Sequence, residues 1–179
     1  MNIETTRLKI VPLTVEQFHL LLCDINKMEQ ELDLIPSNEL LDKHTQQAME
    51  GLYKEAVKHP QSYIWYTNWQ IILKSENIAI GSACFTGEPD KNGQVEIGYG
   101  INKDYRNCGY MTEAAEAMCA WAFKQENVKS IIAETEPDNY ASHKVLQKCK
   151  MEKYLESNNS FWWKIEKEKY ENNINKRKF

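Results

Sequence analysis

The sequence predicts a mixed α and β domain, because strand-like and helix-like patterns both recur along it. Three strand-like runs, over residues 63–73, 77–85 and 94–101, follow one another closely and predict an antiparallel meander. Beyond them strand and helix patterns alternate, which requires some parallel pairing. A chain of 179 residues fits one domain. We expect that domain over 1–170 and a polar tail over 171–179.

The first third of the chain predicts one strand and two helices. Residues 7–11 alternate polar and apolar side chains as a strand does. Thr14 opens a helix, because Gln17 three residues later completes a capping box. The apolar face of that helix comprises Phe18, Leu21, Leu22 and Ile25. Ser37 is the predicted cap of a second helix that runs toward His59, where a proline follows.

The second half predicts a hairpin followed by alternating helices and strands. Residues 90–93 contain the Asn-Gly signal of a tight turn before the third strand. Apolar residues then recur at helical spacing, at Ala114, Ala117, Met118, Trp121 and Ala122. Residues 130–135 read as a strand and 140–149 as a helix. The last strands are expected around Tyr154 and over 161–165.

Composition argues against several classes of protein. The five cysteines are scattered without a C-x-x-C pair, which predicts neither a zinc site nor a disulfide framework. A formal net charge of −4 at pH 7 disfavours nucleic acid as the main ligand, since phosphate binding needs a positive field. No apolar run reaches the roughly 18 residues that a membrane helix needs. The N-terminal residues lack a signal-peptide pattern. We therefore expect a cytoplasmic protein with no metal and no membrane partner.

Residues 94–114 carry the strongest sign of function. A strand there leads through a short polar loop into an amphipathic helix, and such a junction directs backbone N–H groups and the positive helix end at one point. Gly109 lacks a Cβ where a phosphate would approach, and Arg106 adds a positive charge. G-x-x-x-x-G-K-[ST] is absent, and Gly98-Tyr99-Gly100 has no glycine three residues later. Neither a P-loop nor a Rossmann site is predicted.

Four motifs together resemble the GNAT superfamily of N-acetyltransferases. The pyrophosphate loop of that superfamily reads [QR]-x-x-G-x-[GA], and residues 106–111 read Arg-Asn-Cys-Gly-Tyr-Met, with methionine replacing the small residue. Residues 6–13 resemble the opening strand of the branch that includes the ribosomal-protein N-terminal (alanine) acetyltransferases, and residues 96–99 its central strand. Residues 139–146 resemble its N-x-x-S helix start. The chain departs from the pattern at 149–151, where a Gly-Phe pair usually follows the last helix.

The resemblance implies a central mixed, mostly antiparallel sheet with helices on both faces and a splayed strand pair. It implies that acetyl-CoA, as co-substrate, lies between those two strands. The residues implied to bind it are Ile97, Tyr99, Ile101, Arg106, Asn107, Cys108, Gly109, Tyr110, Met111, Thr112, Asn139 and Ser142. Two plainer interpretations stay open: Arg106 and Gly109 also fit a surface charge and a loop glycine, and Asn139 with Ser142 also fits a helix N-cap.

The resemblance also assigns catalytic roles. By alternation Glu96 faces opposite to Val95 and Ile97, and it aligns with a carboxylate that some GNAT enzymes use as a base. A backbone N–H near Tyr99 would stabilise the oxyanion, and Ser142, or Tyr140 in its place, would protonate the leaving thiol. Glu96 also fits an ordinary residue on the polar face of a strand.

The implied reaction is direct acetyl transfer to a primary amine in a ternary complex. The branch suggests a protein N-terminal amine as acceptor, and a polyamine or an aminoglycoside is the alternative. A non-catalytic acetyl-CoA-binding module is the hypothesis from another class. A homodimer is common among relatives of this kind.

Overall fold

The computed structural model describes residues 1–176, and the strands of that part form one eight-stranded sheet. The strands are β1 (Ile3–Glu4), β2 (Leu8–Pro12), β3 (Asn68–Leu73), β4 (Ile78–Phe85), β5 (Gln94–Ile101), β6 (Ser130–Thr135), β7 (Glu152–Glu156) and β8 (Phe161–Glu166). Their order is β1-β2-β3-β4-β5-β6-β8-β7. The pair β5–β6 is parallel, and the other neighbours are antiparallel. The predicted fold class and its parallel pairing are confirmed.

Helices cover both faces of the sheet. They are α1 (Val15–Cys23), α2 (Ile25–Glu31), α3 (Lys43–Lys58), α4 (Tyr110–Phe123), α5 (Tyr140–Lys148) and α6 (Lys167–Lys176). Met118 of α4 and Leu146 of α5 belong to the larger apolar core, whereas Phe18 of α1 and Leu52 of α3 belong to a smaller one. Cys84 faces the smaller core and its neighbour in β4, Phe85, faces the larger. The two cores therefore lie on opposite faces, because side chains alternate along a strand.

The second predicted helix begins later than Ser37. Asn38 has a positive φ of 56°, which interrupts a right-handed helix. The helix begins at Lys43 instead, because the Asp42 carboxylate accepts hydrogen bonds from the backbone N–H groups of His44 at 2.9 Å and Thr45 at 3.0 Å. Asp42 lies five positions after Ser37, and the predicted cap at Ser37 was wrong.

The first predicted helix is divided in two. The capping box is present, with the Gln17 N–H donating to the Thr14 hydroxyl at 3.2 Å. Asp24 leaves helical geometry with φ −159°, ends α1 and caps α2 by accepting from the Lys27 N–H at 3.2 Å. Ile25 therefore belongs to α2, and its assignment to the apolar face of the first helix was wrong.

Two other segments differ from expectation. The run predicted as a strand over 63–73 begins with a single 3-10 turn at Tyr63–Trp65, and the strand starts at Asn68. The predicted polar tail from 171 starts inside α6, which docks through a contact of Phe123 with Tyr170 at 4.7 Å between ring centroids. Residues 177–179 of that tail lie outside the described residues.

Residues 149–151, which lack the Gly-Phe pair of the GNAT pattern, still close the end of α5. Lys150 follows α5 with φ 65°, the left-handed conformation that glycine usually supplies at a helix end. The Met151 N–H still donates to the Leu146 carbonyl at 3.0 Å, and the Lys150 N–H donates to the Gln147 carbonyl at 3.0 Å. The helix is therefore closed in the same way as with glycine.

Candidate active site

A gap between β5 and β6 is the central feature of the candidate site. The two strands pair in parallel at only three positions, ending with Glu96 opposite Ile132. Beyond that point β5 continues to Ile101 and β6 to Thr135 without a paired register between them. The strands have separated there, which confirms the splayed pair.

Backbone groups of β5 face this gap. The Thr86 N–H donates to the Glu96 carbonyl at 3.1 Å, so even-numbered residues of β5 turn their backbone groups toward β4. Because peptide groups alternate along a strand, those of Tyr99 and Ile101 turn the other way. Ile97 lies at the point where the strands separate. The C-terminal half of β5 therefore offers hydrogen-bonding groups to a ligand in the gap.

The loop after β5 and the first turn of α4 form a cradle of backbone N–H groups. Gly109 precedes the helix with φ 81°, and no side chain caps the helix start. Asn107 is also left-handed, with φ 61°. The first-turn N–H groups, at Tyr110, Met111 and Thr112, have no intrahelical partner by geometry. A helix start that has no side-chain cap and is preceded by a glycine is suited to bind an anion.

The side chains of this loop have different environments. The Arg106 Nε donates to the Ile101 carbonyl at 3.4 Å, which brings the guanidinium back to the end of β5 beside the gap. Cys108 is exposed. Met111 is only 6% exposed and packs in the larger core, so its backbone alone is available to a ligand. The methionine that replaces the usual small residue is therefore a core residue.

Glu96 and Glu134 face a common cleft on the α3 side of the gap. Glu96 is half-buried, and burial raises the pKa of its carboxyl above the usual value, with a further contribution from the negative charge of Glu134. Glu134 lies on β6 and accepts a hydrogen bond from the Ser160 hydroxyl. A carboxylate with a raised pKa is a better proton acceptor, which is the property that a general base needs.

The cleft has a volume of about 880 Å³ and an acidic lining. Its described lining residues include Glu55, Glu96, Glu134 and Glu136 but no lysine or arginine. Glu55 is paired with Lys58 at 2.6 Å, so the other three carboxylates dominate the charge. The thiol of Cys84 forms part of the floor, and burial raises its pKa to about 11, so it stays protonated at neutral pH.

On the opposite side of the gap, α5 places Ser142 beside Tyr99. Asn139 caps α5 by accepting from the Ser142 N–H at 3.1 Å. The Tyr99 hydroxyl donates to the Ser142 carbonyl at 3.4 Å, and burial raises the pKa of that phenol. Glu96 and Ser142 therefore lie on opposite faces of the sheet, with the gap and the backbone of Tyr99 between them. Tyr140, the alternative acid, is 70% exposed and points to solvent.

Comparison with known proteins identifies the family. Residues 7–152 match the sequence profile described as an acetyltransferase (GNAT) domain. The chain belongs to the GNAT acetyltransferases. The match includes both strands of the gap, the loop and α5.

The curated relatives that this chain matches are also named as N-acetyltransferases. An uncharacterized N-acetyltransferase of Bacillus subtilis, YjdG, is 41% identical over 83 residues, which are 46% of this chain and 49% of the relative. The chain spans about half the length of the curated relatives it matches.

Two solved GNAT structures share the fold over almost the whole chain. RimL, a ribosomal L7/L12 alpha-N-protein acetyltransferase in complex with coenzyme A, matches with a TM-score of 0.67 and 14% identity, covering 93% of this chain and 98% of RimL. FdhC, a nucleotide-linked sugar GNAT, matches with a TM-score of 0.70 and 12% identity, covering 99% and 96%. The names of these two proteins of the same fold thus refer to very different substrates, a ribosomal protein and a nucleotide-linked sugar.

Sequence reasoning about the GNAT motifs missed Glu134. Its polar position in the strand pattern of β6 was visible, but its place beside Glu96 depends on the parallel register of β5 and β6. Residues 1–176 contain neither a metal-binding cluster nor a membrane-spanning helix. No cluster of three or more His, Cys, Asp or Glu side chains there is arranged to hold a metal ion. No helix within residues 1–176 is long and apolar enough to cross a membrane.

Replacing Glu134 with glutamine is expected to lower the pKa of Glu96. The change removes a like charge that disfavours the carboxylate of Glu96, while burial continues to hold the pKa above its usual value. A pH titration of the side-chain carboxyl carbons by nuclear magnetic resonance measures the shift. Glu136→Gln is the matched control, because Glu136 lines the same cleft but is not among the groups that raise the pKa of Glu96. An unchanged pKa in Glu134→Gln would show that the two carboxylates do not interact.

Proposed function

We propose that this protein is an acetyl-CoA-dependent N-acetyltransferase that acetylates a cationic primary amine by direct attack in a ternary complex. The observation that carries the proposal is the coincidence of three features at one gap: an uncapped helix start, unpaired strand backbone and a half-buried carboxylate. The family membership and the coenzyme A complex of RimL support the same reading.

The residues around the gap fit acetyl-CoA as co-substrate. The first-turn N–H groups of α4 and the guanidinium of Arg106 suit a pyrophosphate, and Gly109 lets it approach the backbone. The backbone groups of Tyr99 and Ile101 suit the amides of a pantetheine arm, as a further strand would. Ser142 at the start of α5 lies beside Tyr99 on the other side of the gap, and Asn139 caps the same helix. When bound, acetyl-CoA supplies an activated acetyl thioester.

Glu96 acts as the general base in this proposal. A lysine-like amine with pKa about 10.4 is only about 0.04% neutral at pH 7, so removing its proton is a large part of the barrier. Glu96 faces the cleft from which an amine would approach, and burial with the neighbouring Glu134 moves its pKa toward neutrality. The proton passes to the Glu96 carboxylate directly or through one water.

Acyl transfer also requires stabilisation of an oxyanion and a proton for the leaving thiolate. Hydrogen-bond donors for both lie beside the gap. The Tyr99 N–H turns into the gap and is placed to donate to the oxygen that becomes negative during attack. Ser142 lies on the opposite wall, where its hydroxyl is a candidate proton donor to the leaving thiolate. Thiolate is a fair leaving group, so the loss of this donor costs less than the loss of the base.

The acceptor is inferred from charge. Three carboxylates in a cleft whose described lining includes no lysine or arginine favour an acceptor that carries a second positive charge near its reactive amine. Protein N-terminal amines are the class that the resemblance suggests, and a basic N-terminus would carry the second charge. Polyamines and aminoglycosides, the alternative, carry it as well. The alternative of a non-catalytic acetyl-CoA-binding module would leave the raised pKa of Glu96 without a purpose.

Substitution of Gly109 is expected to weaken binding of coenzyme A. A side chain at φ 81° costs about 1–2 kcal/mol in the loop, and its Cβ would lie 3.4 Å from the Arg7 Nη2; a glutamate also adds a negative charge to a loop that is proposed to bind phosphate. Isothermal titration of coenzyme A should show binding reduced at least about tenfold in Gly109→Ala and abolished in Gly109→Glu. Gly87→Ala, at a glycine without a positive φ, is the control and should bind normally. Absence of binding in the unaltered protein would reject the proposed function.

Glu96→Gln is expected to lower kcat at neutral pH by about 10²–10⁴-fold, the usual contribution of a general base. The KM for acetyl-CoA should stay unchanged. In the unaltered enzyme the rate should fall as the pH drops through the raised pKa of Glu96, and the variant should lose this acid limb. A pH profile of kcat measures both effects, and Glu136→Gln, which removes another carboxylate of the same cleft, is the control that should keep the acid limb. An unchanged profile in Glu96→Gln would assign the base to another group.

Acceptors with a second positive charge are expected to be preferred. Two matched pairs separate charge from size: 1,5-diaminopentane against pentylamine, and alanyl peptides with lysine or glutamate in second position. We expect a higher kcat/KM for the cationic member of each pair, with a ratio that shrinks at high salt because salt screens the cleft. The faster pair distinguishes polyamine from peptide. Equal rates within both pairs would contradict the charge argument.

A further inference from the structure

Arg7 joins the N-terminal strand region to the phosphate-binding loop, although 101 residues separate it from Cys108. Its Nη1 donates to the Cys108 carbonyl at 3.0 Å, and its guanidinium carbon lies 4.3 Å above the centre of the Tyr110 ring. Its Nε donates to the Glu113 carboxylate at 2.7 Å. We call these contacts of Arg7 with Cys108, Tyr110 and Glu113 the Arg7 bracket.

Glu113, in the first turn of α4, completes the Arg7 bracket. Its Oε1 accepts from the Thr5 hydroxyl at 2.6 Å and from the Arg7 backbone N–H at 2.9 Å, while its Oε2 accepts from the Arg7 Nε. Partial burial alone would raise the pKa of this carboxyl, but the hydrogen bonds from Thr5 and Arg7 outweigh burial and hold the pKa below its usual value. The carboxylate is therefore ionised and fully engaged at neutral pH.

The other end of the Arg7 bracket is fixed to the sheet. The Arg7 carbonyl accepts from the Lys74 N–H at 3.0 Å, and the Lys74 Nζ donates to the Thr5 carbonyl at 2.7 Å. Leu8, the next residue, is fully buried in the larger core opposite Leu73. Arg7 thus projects from a rigid base rather than from a free terminus.

The bond to Cys108 determines where the next amide points. Its peptide to Gly109 is trans, as every described peptide bond is, so the Gly109 N–H points opposite to the Cys108 carbonyl. Because that carbonyl is held toward Arg7, the Gly109 N–H is held away from Arg7. The left-handed turn at Gly109 then leads directly into the uncapped first turn of α4.

We propose that Arg7 and Glu113 are positioning residues that hold the phosphate-binding loop in its anion-binding shape before ligand arrives. This proposal rests on the proposed function, because it assigns the loop to the pyrophosphate of coenzyme A. Arg7 acts through geometry: its charge is matched by Glu113, and two of its three nitrogens are already donating. Pre-organisation of this kind improves affinity by removing the cost of ordering the loop on binding.

The test measures the affinity of the full chain for coenzyme A and for pantetheine, which lacks the pyrophosphate, by isothermal titration. We expect Arg7→Gln and Glu113→Gln to weaken coenzyme A binding about tenfold or more, a loss typical of hydrogen bonds to charged groups. Pantetheine affinity should not change. Arg7→Lys should fail to restore affinity, because lysine keeps the charge but lacks the planar fork. Lys9→Gln, which removes a positive charge two residues away in β2 and outside the Arg7 bracket, is the control and should bind as the unaltered protein does.

Amide hydrogen exchange of the ligand-free protein provides a readout that does not depend on ligand. Arg7→Gln should speed exchange selectively in residues 108–113, with unchanged exchange in the core strands. Full affinity in Arg7→Lys would overturn the proposal in favour of a purely electrostatic role. Equal losses for coenzyme A and pantetheine, or faster exchange throughout, would overturn it in favour of general destabilisation. If the unaltered protein binds no coenzyme A, the proposed function fails; if it binds and Arg7→Gln binds equally well, this inference alone fails.

Discussion

The end of parallel pairing between β5 and β6 is the constraint on which the rest of the site depends. The strands are held together up to Glu96 and Ile132 and then separate, so the backbone groups that face the gap beyond that point have no partner strand, although the opposite edges of β5 and β6 stay paired with β4 and β8. Such a gap is costly in a folded protein unless water or a ligand fills it. A ligand that resembles an extended strand, with amides along its length, satisfies this need directly.

The gap also arranges the electrostatics of the site. One end of it faces the positive, uncapped start of α4, which suits phosphate. The α3 side faces the carboxylates of Glu96, Glu134 and Glu136, which suit an amine. Opposite charges on two sides of one opening would bring an anionic and a cationic substrate together with their reactive ends in the middle. Burial raises the pKa of Glu96 in this half-buried place, and the neighbouring negative charge of Glu134 raises it further.

Local features of this arrangement could be predicted from the sequence, and distant pairings could not. The loop around Gly109 and the orientation of Glu96 follow from a motif and from alternation, both of which are read within a few residues. Glu134 beside Glu96 and Arg7 beside Cys108 depend on strand order and register, which no short segment encodes. The start of α3 was misjudged because Asn38 adopts a left-handed conformation, a backbone choice that the Ser37 capping signal does not reveal.

Amide hydrogen exchange along β5, with and without coenzyme A, tests the gap most directly. Without ligand, the amides of Tyr99 and Ile101 should exchange faster than those of Gly98 and Gly100, whose backbone groups turn toward β4. Saturating coenzyme A should slow the first two selectively. Equal protection of all four amides in the free protein would mean that β5 and β6 do not separate as described, and the account of the site would then be wrong.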